Sequence, residues 1–312
     1  MDPVTHTLLG LAIGEAVFRP RLGRRAVTAS MWAANLPDID VLVHLTGDPG
    51  AIVLRRSFGH SLFFLPIWIA GLAWIFKKKY PDMTYRDLLA IVSINAGGHL
   101  LFDLINSFGV QLLWPLSLSR PELAIVFIID LVLSGILAAP HLARLSAAWK
   151  PRLTRACRGA LVLAAAYLMT AYACRRRAEI ILNGASSSGG FAYVFPEPLG
   201  AHRWRGVIKE PSSWHVYLID VLNGSADKKL VLDDDSQTPP AVEARQTAFG
   251  RRLDAFFKAP VWTAAPKPGG GWTATVRDLR FSSLTLTRPP TFEFVFDVEA
   301  AGSAVPRGVK IW

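Results

Sequence analysis

A histidine and an aspartate stand four residues apart inside an apolar run, in the string Gly98-His99-Leu100-Leu101-Phe102-Asp103. Four residues is close to one helical turn, so both side chains share a face of a helix running from Leu88 to about Ile105. An imidazole and a carboxylate in apolar surroundings are costly unless they meet a partner. They can satisfy each other, or share a metal or a substrate. The rest of the chain decides between these options.

The composition places that helix in a membrane. Of 312 residues, 51% are hydrophobic and only 19% charged, and the mean hydropathy is +0.30. The formal net charge is +10. Its cations sit in short clusters beside apolar runs, as in Arg19–Arg25, Lys77–Lys79 and Arg175–Arg177. That placement reads as membrane topology, and no zinc finger, RNP motif or basic stripe marks a nucleic-acid partner. The two cysteines, Cys157 and Cys174, flank one apolar run and lie too far apart for a disulfide. Met1-Asp2-Pro3 lacks a basic leader, so no cleaved signal peptide is expected.

Apolar runs of helical length occur near 4–18, 27–45, 61–76, 88–106, 123–139 and 159–174. The expected fold is an α-helical integral membrane domain of about six apolar helices over residues 1–177. The first two runs carry polar residues and are short enough to be re-entrant. Lys and Arg concentrate in the first, third and fifth connections, which predicts that these are cytoplasmic and that the N-terminus lies outside. Arg175–Arg177 runs against that assignment.

Beyond Ser186–Gly190, which reads as a connector, short alternating runs predict a smaller, mainly β extracytoplasmic domain over residues 178–312. Trp204–Lys209, Trp214–Val221, Trp272–Val276, Ser283–Thr287 and Phe292–Val298 are the predicted strands, and Gln246–Phe257 the predicted helix. Asp233–Asp235 reads as a solvated turn.

With that topology, Asp2 and His6, the string Asn35-Leu36-Pro37-Asp38-Ile39-Asp40, Arg56 with His60, and His99 with Asp103 all fall on the outer face. The topology came from Lys and Arg alone, so the convergence of His and Asp is independent of it. His6, His60, His99 and Asp103, with help from Asp38, are the candidate metal ligands. Imidazole and carboxylate donors suit a divalent ion, zinc first, with manganese or iron as alternatives. Asp38, Asp40 and Asp2 are the candidate acid–base groups, and Arg56 the candidate holder of an anion. Asp130 sits alone in the fifth run, and His141, His202 and His215 read as non-ligands.

Met1-Asp2-Pro3-Val4-Thr5-His6, Leu36-Pro37-Asp38-Ile39-Asp40, Arg56 with His60-Ser61, and Gly98–Asp103 resemble the YdjM-like family of membrane-bound, metal-dependent hydrolases. The resemblance covers roughly residues 1–135. Phe195–Pro198 and Arg203-Trp204-Arg205 look like the outer domain that some members carry. It implies an inner-membrane protein with a metal-dependent hydrolase activity, carried by Asp2, His6, Asp38, Asp40, Arg56, His60, His99 and Asp103. Where the family often has His-Arg-Gly, this chain has Arg55-Arg56-Ser57, and Arg55 cannot ligate a metal. The expected substrate is a phosphoester or ester in a membrane lipid or lipid-linked molecule, with the outer domain on the periplasmic side. The alternatives are a metal or proton conduit and an envelope structural or interaction protein. Few polar residues lie in the predicted cytoplasmic half, which counts against a conduit.

Overall fold

The computed structural model describes residues 1–48, 50–185, 190–286, 292–299 and 303–311. These divide into two compact units. One comprises Met1–Val43, Leu54–Tyr172 and Pro198–Gly200, the other His44–Val53, Ala173–Glu197 and Ala201–Trp312.

The first unit is helical. Asp2 caps helix α1 (Pro3–Ile13) by accepting from the amides of Val4 and Thr5, with Pro3 in the first turn. A π-helical turn, Gly14–Phe18, leads into the single turn α2 (Arg19–Leu22). Gly23, at φ 75°, reverses the chain into α3 (Arg24–Ala33). Pro37 lacks an amide hydrogen, and the chain continues as a 3₁₀ stretch over Leu36–Thr46. The short α4 (Ala51–Leu54), which falls in the second unit up to Val53, precedes α5 (Leu65–Lys79), α6 (Tyr85–Leu104), α7 (Leu131–Ala143) and α8 (Leu153–Ala185), whose residues from Ala173 belong to the second unit.

Two of these helical segments are long and apolar enough to cross a membrane, Tyr85–Leu104 and Lys150–Ala185. Six membrane-spanning helices are therefore not supported. The second apolar run breaks after Ala33 at the Leu36-Pro37 step. The third starts its helix only at Leu65 and gives 15 residues, about 22 Å against the ~30 Å of a bilayer core. The fifth starts only where Asp130 caps α7 and gives 13 residues.

α1 packs on α3, α6 and α7, and α6 packs on α3 and α5. The α1–α3 contact depends on small residues. A Cβ on Gly10 would sit 2.6 Å from the Ala34 Cβ and 2.7 Å from the Ser30 carbonyl oxygen. One on Gly14 would sit 2.9 Å from the Val27 Cα. Glycines four residues apart let two backbones approach closely, the usual device of helix pairs in lipid.

The second unit is mainly β, with two four-stranded antiparallel sheets. The first is β1 (Ala192–Pro196), β2 (Arg203–Lys209), β3 (Ser213–Asp220) and β4 (Ser225–Asp233). The second is β5 (Pro260–Pro266), β6 (Trp272–Asp278), β7 (Phe292–Val298) and β8 (Ala304–Ile311). Helices α9 (Pro239–Gln246) and α10 (Ala248–Phe256) lie between the sheets in sequence, and α9 packs across the second. Trp204, Ile208 and Ile219 form one core with Ala178 and Leu182 of α8.

Three predicted strands coincide with β2, β3 and β7, and a fourth with most of β6. Residues 283–286 are not a strand. Glu197 accepts from the Ser283 hydroxyl and from the amides of Leu284 and Thr285, which pulls this segment into a loop. Thr287 and most of the Ser186–Gly190 connector lie outside the described residues. Glu197 also pairs with Arg205 at 2.7 Å, both buried. Burial holds the Arg205 guanidinium below its ordinary value, and Glu197 opposes that shift. The carboxylates of Asp234 and Asp235 accept from the amides of Trp262 and Ala264, so the acidic turn clamps β5.

Gly10→Ala is expected to lower the thermal midpoint, at a cost of about 1–3 kcal/mol for an overpacked contact. Gly71→Ala on α5, where an added Cβ meets nothing within 4 Å, should leave it unchanged or slightly raised. Equal midpoints for the two variants in detergent would refute the close α1–α3 packing. Glu197→Ala is expected to cost about 3–5 kcal/mol, because it leaves a buried guanidinium uncompensated, and urea unfolding of the full chain measures it.

Candidate metal centre

Four segments of the first unit bring their polar residues together. α6 carries His99 and Asp103 on one face, as the four-residue spacing requires. The 3₁₀ stretch after α3 carries Asp38 and Asp40. The turns between α4 and α5 carry Arg55, Arg56 and His60, and α1 carries His6. His6, Asp40, His60, His99 and Asp103 are fully buried, and Asp38 retains some exposure.

Asp38, His60, His99 and Asp103 each offer one ligand atom, and these four atoms lie within 4.8 Å of one another. This group could hold a metal ion. Neutral histidines here have assignable tautomers. His60 Nδ1 lies 3.0 Å from Asp40 Oδ2, and His99 Nδ1 lies 2.6 Å from the Ala34 carbonyl oxygen. Both partners only accept, so both Nδ1 atoms carry the hydrogen. The two Nε2 atoms then face each other as acceptors at 3.1 Å. Asp103 Oδ2 lies 2.9 Å from His60 Nε2 and 3.4 Å from His99 Nε2. Three electron-rich atoms therefore converge with no hydrogen between them.

His6 lies beside this group. Its ring stacks on His99 with centroids 3.6 Å apart, and its Nε2 is 3.1 Å from Asp103 Oδ1. The Met1 amino group also donates to Asp103 Oδ1. Asp40 stands behind His60, since its Oδ2 also accepts from the Ser57 amide at 2.8 Å. Buried atoms without a hydrogen-bond partner among the described residues include His6 Nδ1, Asp38 Oδ2 and Asp40 Oδ1.

Arg56 is fully engaged. Its Nε lies 2.8 Å from Asp103 Oδ2, one Nη donates to Asn106 Oδ1 at 2.8 Å, and the other reaches the Met1 carbonyl oxygen. Its guanidinium lies over the Phe108 ring. Arg56 adopts φ 57°, a left-handed conformation that costs a non-glycine residue energy, and the Gln111 amide holds its carbonyl oxygen. Arg55 points to Asp38 at 3.5 Å, and its buried Nε has no hydrogen-bond partner among the described residues. Gly59 lets the turn pass the 3₁₀ stretch. A Cβ there would lie 2.1 Å from the Pro37 carbonyl oxygen.

The other singled-out residues stand elsewhere. Both Asp2 carboxylate oxygens serve the first turn of α1, accepting from the Val4 and Thr5 amides and the Thr5 hydroxyl. Asp130 caps α7 and accepts from the Tyr167 hydroxyl at 2.8 Å. His141 neighbours Cys157, and His215 lies on β3. Sequence reasoning missed the Ala34 carbonyl, the Ser57 amide and the Met1 amino group, because backbone atoms leave no signature in residue types. Asn106 was visible as a polar residue ending the α6 run, but its grip on Arg56 was not.

Among proteins of known sequence, the chain is similar to the uncharacterized protein YfhP of Bacillus subtilis (strain 168), at 24% identity over 137 residues. The match covers 42% of this chain and 42% of that protein, so the chain spans about two-fifths of the relative's length. No solved structure matches. The model of the YdjM inner membrane protein family matches residues 1–178, which include every residue of the buried cluster, and the chain belongs to that family.

Proposed function

We propose that the buried cluster is a divalent-metal centre and that the protein is a membrane-bound, metal-dependent hydrolase. The carrying observation is the opposition of two imidazole Nε2 atoms at 3.1 Å beside Asp103, with both Nδ1 hydrogens committed elsewhere. A cation between these acceptors removes their mutual repulsion. The orphaned Asp38 Oδ2 supports the same reading. The donor set, two imidazoles and two carboxylates, fits zinc best, and manganese or iron also accept it.

In this reading His60, His99, Asp103 and Asp38 hold the metal, with His6 at the edge of the set. Such an ion lowers the pKa of a bound water and polarises a phosphoryl or carbonyl oxygen. Asp40 and the Ala34 carbonyl fix the two histidine tautomers, the usual task of groups behind metal ligands. Arg56 holds Asp103 in place. Asp38 is the solvent-reached carboxylate, and its Oδ2, without a partner among the described residues, would accept a proton from water. Arg55, beside Asp38 and with donor capacity unused, meets the anionic group of the substrate. Asp2 serves as the α1 cap. The substrate class is a phosphoester or ester of a lipid or lipid-linked molecule. Support comes from the inner-membrane family, the two apolar helices and the arginine at the site. The outer domain stands on the periplasmic side in this reading.

Elemental analysis of the purified protein is expected to find a bound divalent metal, zinc before manganese or iron. His60→Ala and His99→Ala should lose it while remaining in the membrane fraction. Asp2→Asn should retain it and lose only helix-cap stability, about 1 kcal/mol. Metal retained in both histidine variants would remove the centre. Asp38→Asn keeps one oxygen for the metal and loses the basic one, so it should still bind metal yet release phosphate from lipid extracts about 10²–10⁴-fold more slowly. A chelator should stop wild-type release, and chelator-insensitive release would exclude the proposed chemistry.

A further inference from the structure

A second site lies at the other end of α1. Nine residues along the helical path from His6, about 13 Å by helix rise, Glu15 enters a cavity of about 320 Å³. The cavity is lined by Glu15, Arg19, Arg24, Arg144, Lys150 and Leu153, all within the first unit. Four cations thus surround one carboxylate, and Glu15 is taken by Arg19 at 2.5 Å.

Neighbouring cations behave differently. Arg21 pairs with Asp87, and Arg25 pairs with Asp82. Arg24, Arg144 and Lys150 have no carboxylate partner among the described residues. They come from three places in the chain, namely the start of α3, the end of α7 and the turn before α8. Basic residues beside apolar helices commonly do no more than set orientation. Here they converge on one cavity of ligand size. Val17, Leu142, Leu145 and Trp149, each within two residues of a lining residue in the chain, are all exposed. A tryptophan beside exposed leucines marks the level of a membrane interface.

We infer that this cavity binds the phosphate-bearing headgroup of an anionic phospholipid. The three unpaired cations receive the phosphate, and the exposed apolar side chains lie along the acyl chains. The site is separate from the buried metal cluster and does not depend on the chemistry proposed there.

The test titrates the full-length protein in detergent with short-chain phosphatidylglycerol, short-chain phosphatidylcholine and inorganic phosphate, reading ligand-induced thermal shift and tryptophan fluorescence. Saturable binding of phosphatidylglycerol is expected, with weaker binding of the other two. Arg24→Gln, Arg144→Gln and Lys150→Gln should each weaken it about 5-fold. Lys79→Gln with Arg86→Gln and Arg155→Gln removes three exposed cations outside the cavity and should leave it unchanged. Arg24→Lys with Arg144→Lys keeps the charge and should retain binding, which separates charge from folding if a Gln variant fails to fold. The proposal is overturned if phosphatidylcholine binds equally, if both sets of charge-removing variants lose affinity alike, or if the cavity variants lose none. Inorganic phosphate binding as tightly as phosphatidylglycerol overturns the lipid as its source.

Discussion

The buried half of the first unit depends on how two imidazole rings are held. His60 and His99 come from separate segments, and each is fixed from behind by an acceptor, the Asp40 carboxylate for one and the Ala34 carbonyl for the other. That leaves both Nε2 atoms pointing at the same small volume as Asp103. Like-signed lone pairs at such distances in a low-dielectric interior repel strongly. A positive partner at its centre would relieve that repulsion. Arg56 and the Met1 amino group supply part of it, since both reach Asp103. Neither has a recorded bond to the Nε2 pair.

The backbone around the cluster is shaped to serve it. Pro37 and the 3₁₀ stretch carry Asp38 and Asp40 past the end of α3, where an uninterrupted helix would have carried them away. Gly59 lets the His60 turn lie directly against the Pro37 carbonyl. Arg56 occupies a left-handed conformation that few arginines adopt, held through its carbonyl by Gln111 and through its side chain by Asp103 and Asn106. Strain of this kind persists only where surrounding contacts over-determine it. The close α1–α3 contact through Gly10 and Gly14 fixes the helix that carries His6. Packing and site are thus coupled through the same two helices.

Much of this was legible in residue types and spacing. The four-residue separation of His99 and Asp103 puts them on one helical face, and Pro37, which a helix interior rejects, stands just past the end of α3. The alternating runs announced an antiparallel β region, and four of the five recur as strands. The number of membrane spans was not legible. An apolar run looks alike whether it forms one helix or a helix followed by turns, and polar tethers cut several runs short. Asp130 starts α7 late, and the turns tied to Asp40 delay α5. β1, β4, β5 and β8 escaped because their sequences do not alternate cleanly. β4, for example, is exposed along most of its length.

The arginines show most sharply how geometry revises a reading made from residue types. Two adjacent arginines beside a histidine look equivalent in the sequence, and Arg56 is the expected anion holder. Arg56 instead has partners on all three guanidinium nitrogens, so its charge is already committed to Asp103. Arg55 retains a donor unused among the described residues, beside the one cluster carboxylate that solvent reaches. A guanidinium cannot ligate a metal, but its remaining donors can meet an anion, which is the role proposed for Arg55 beside Asp38.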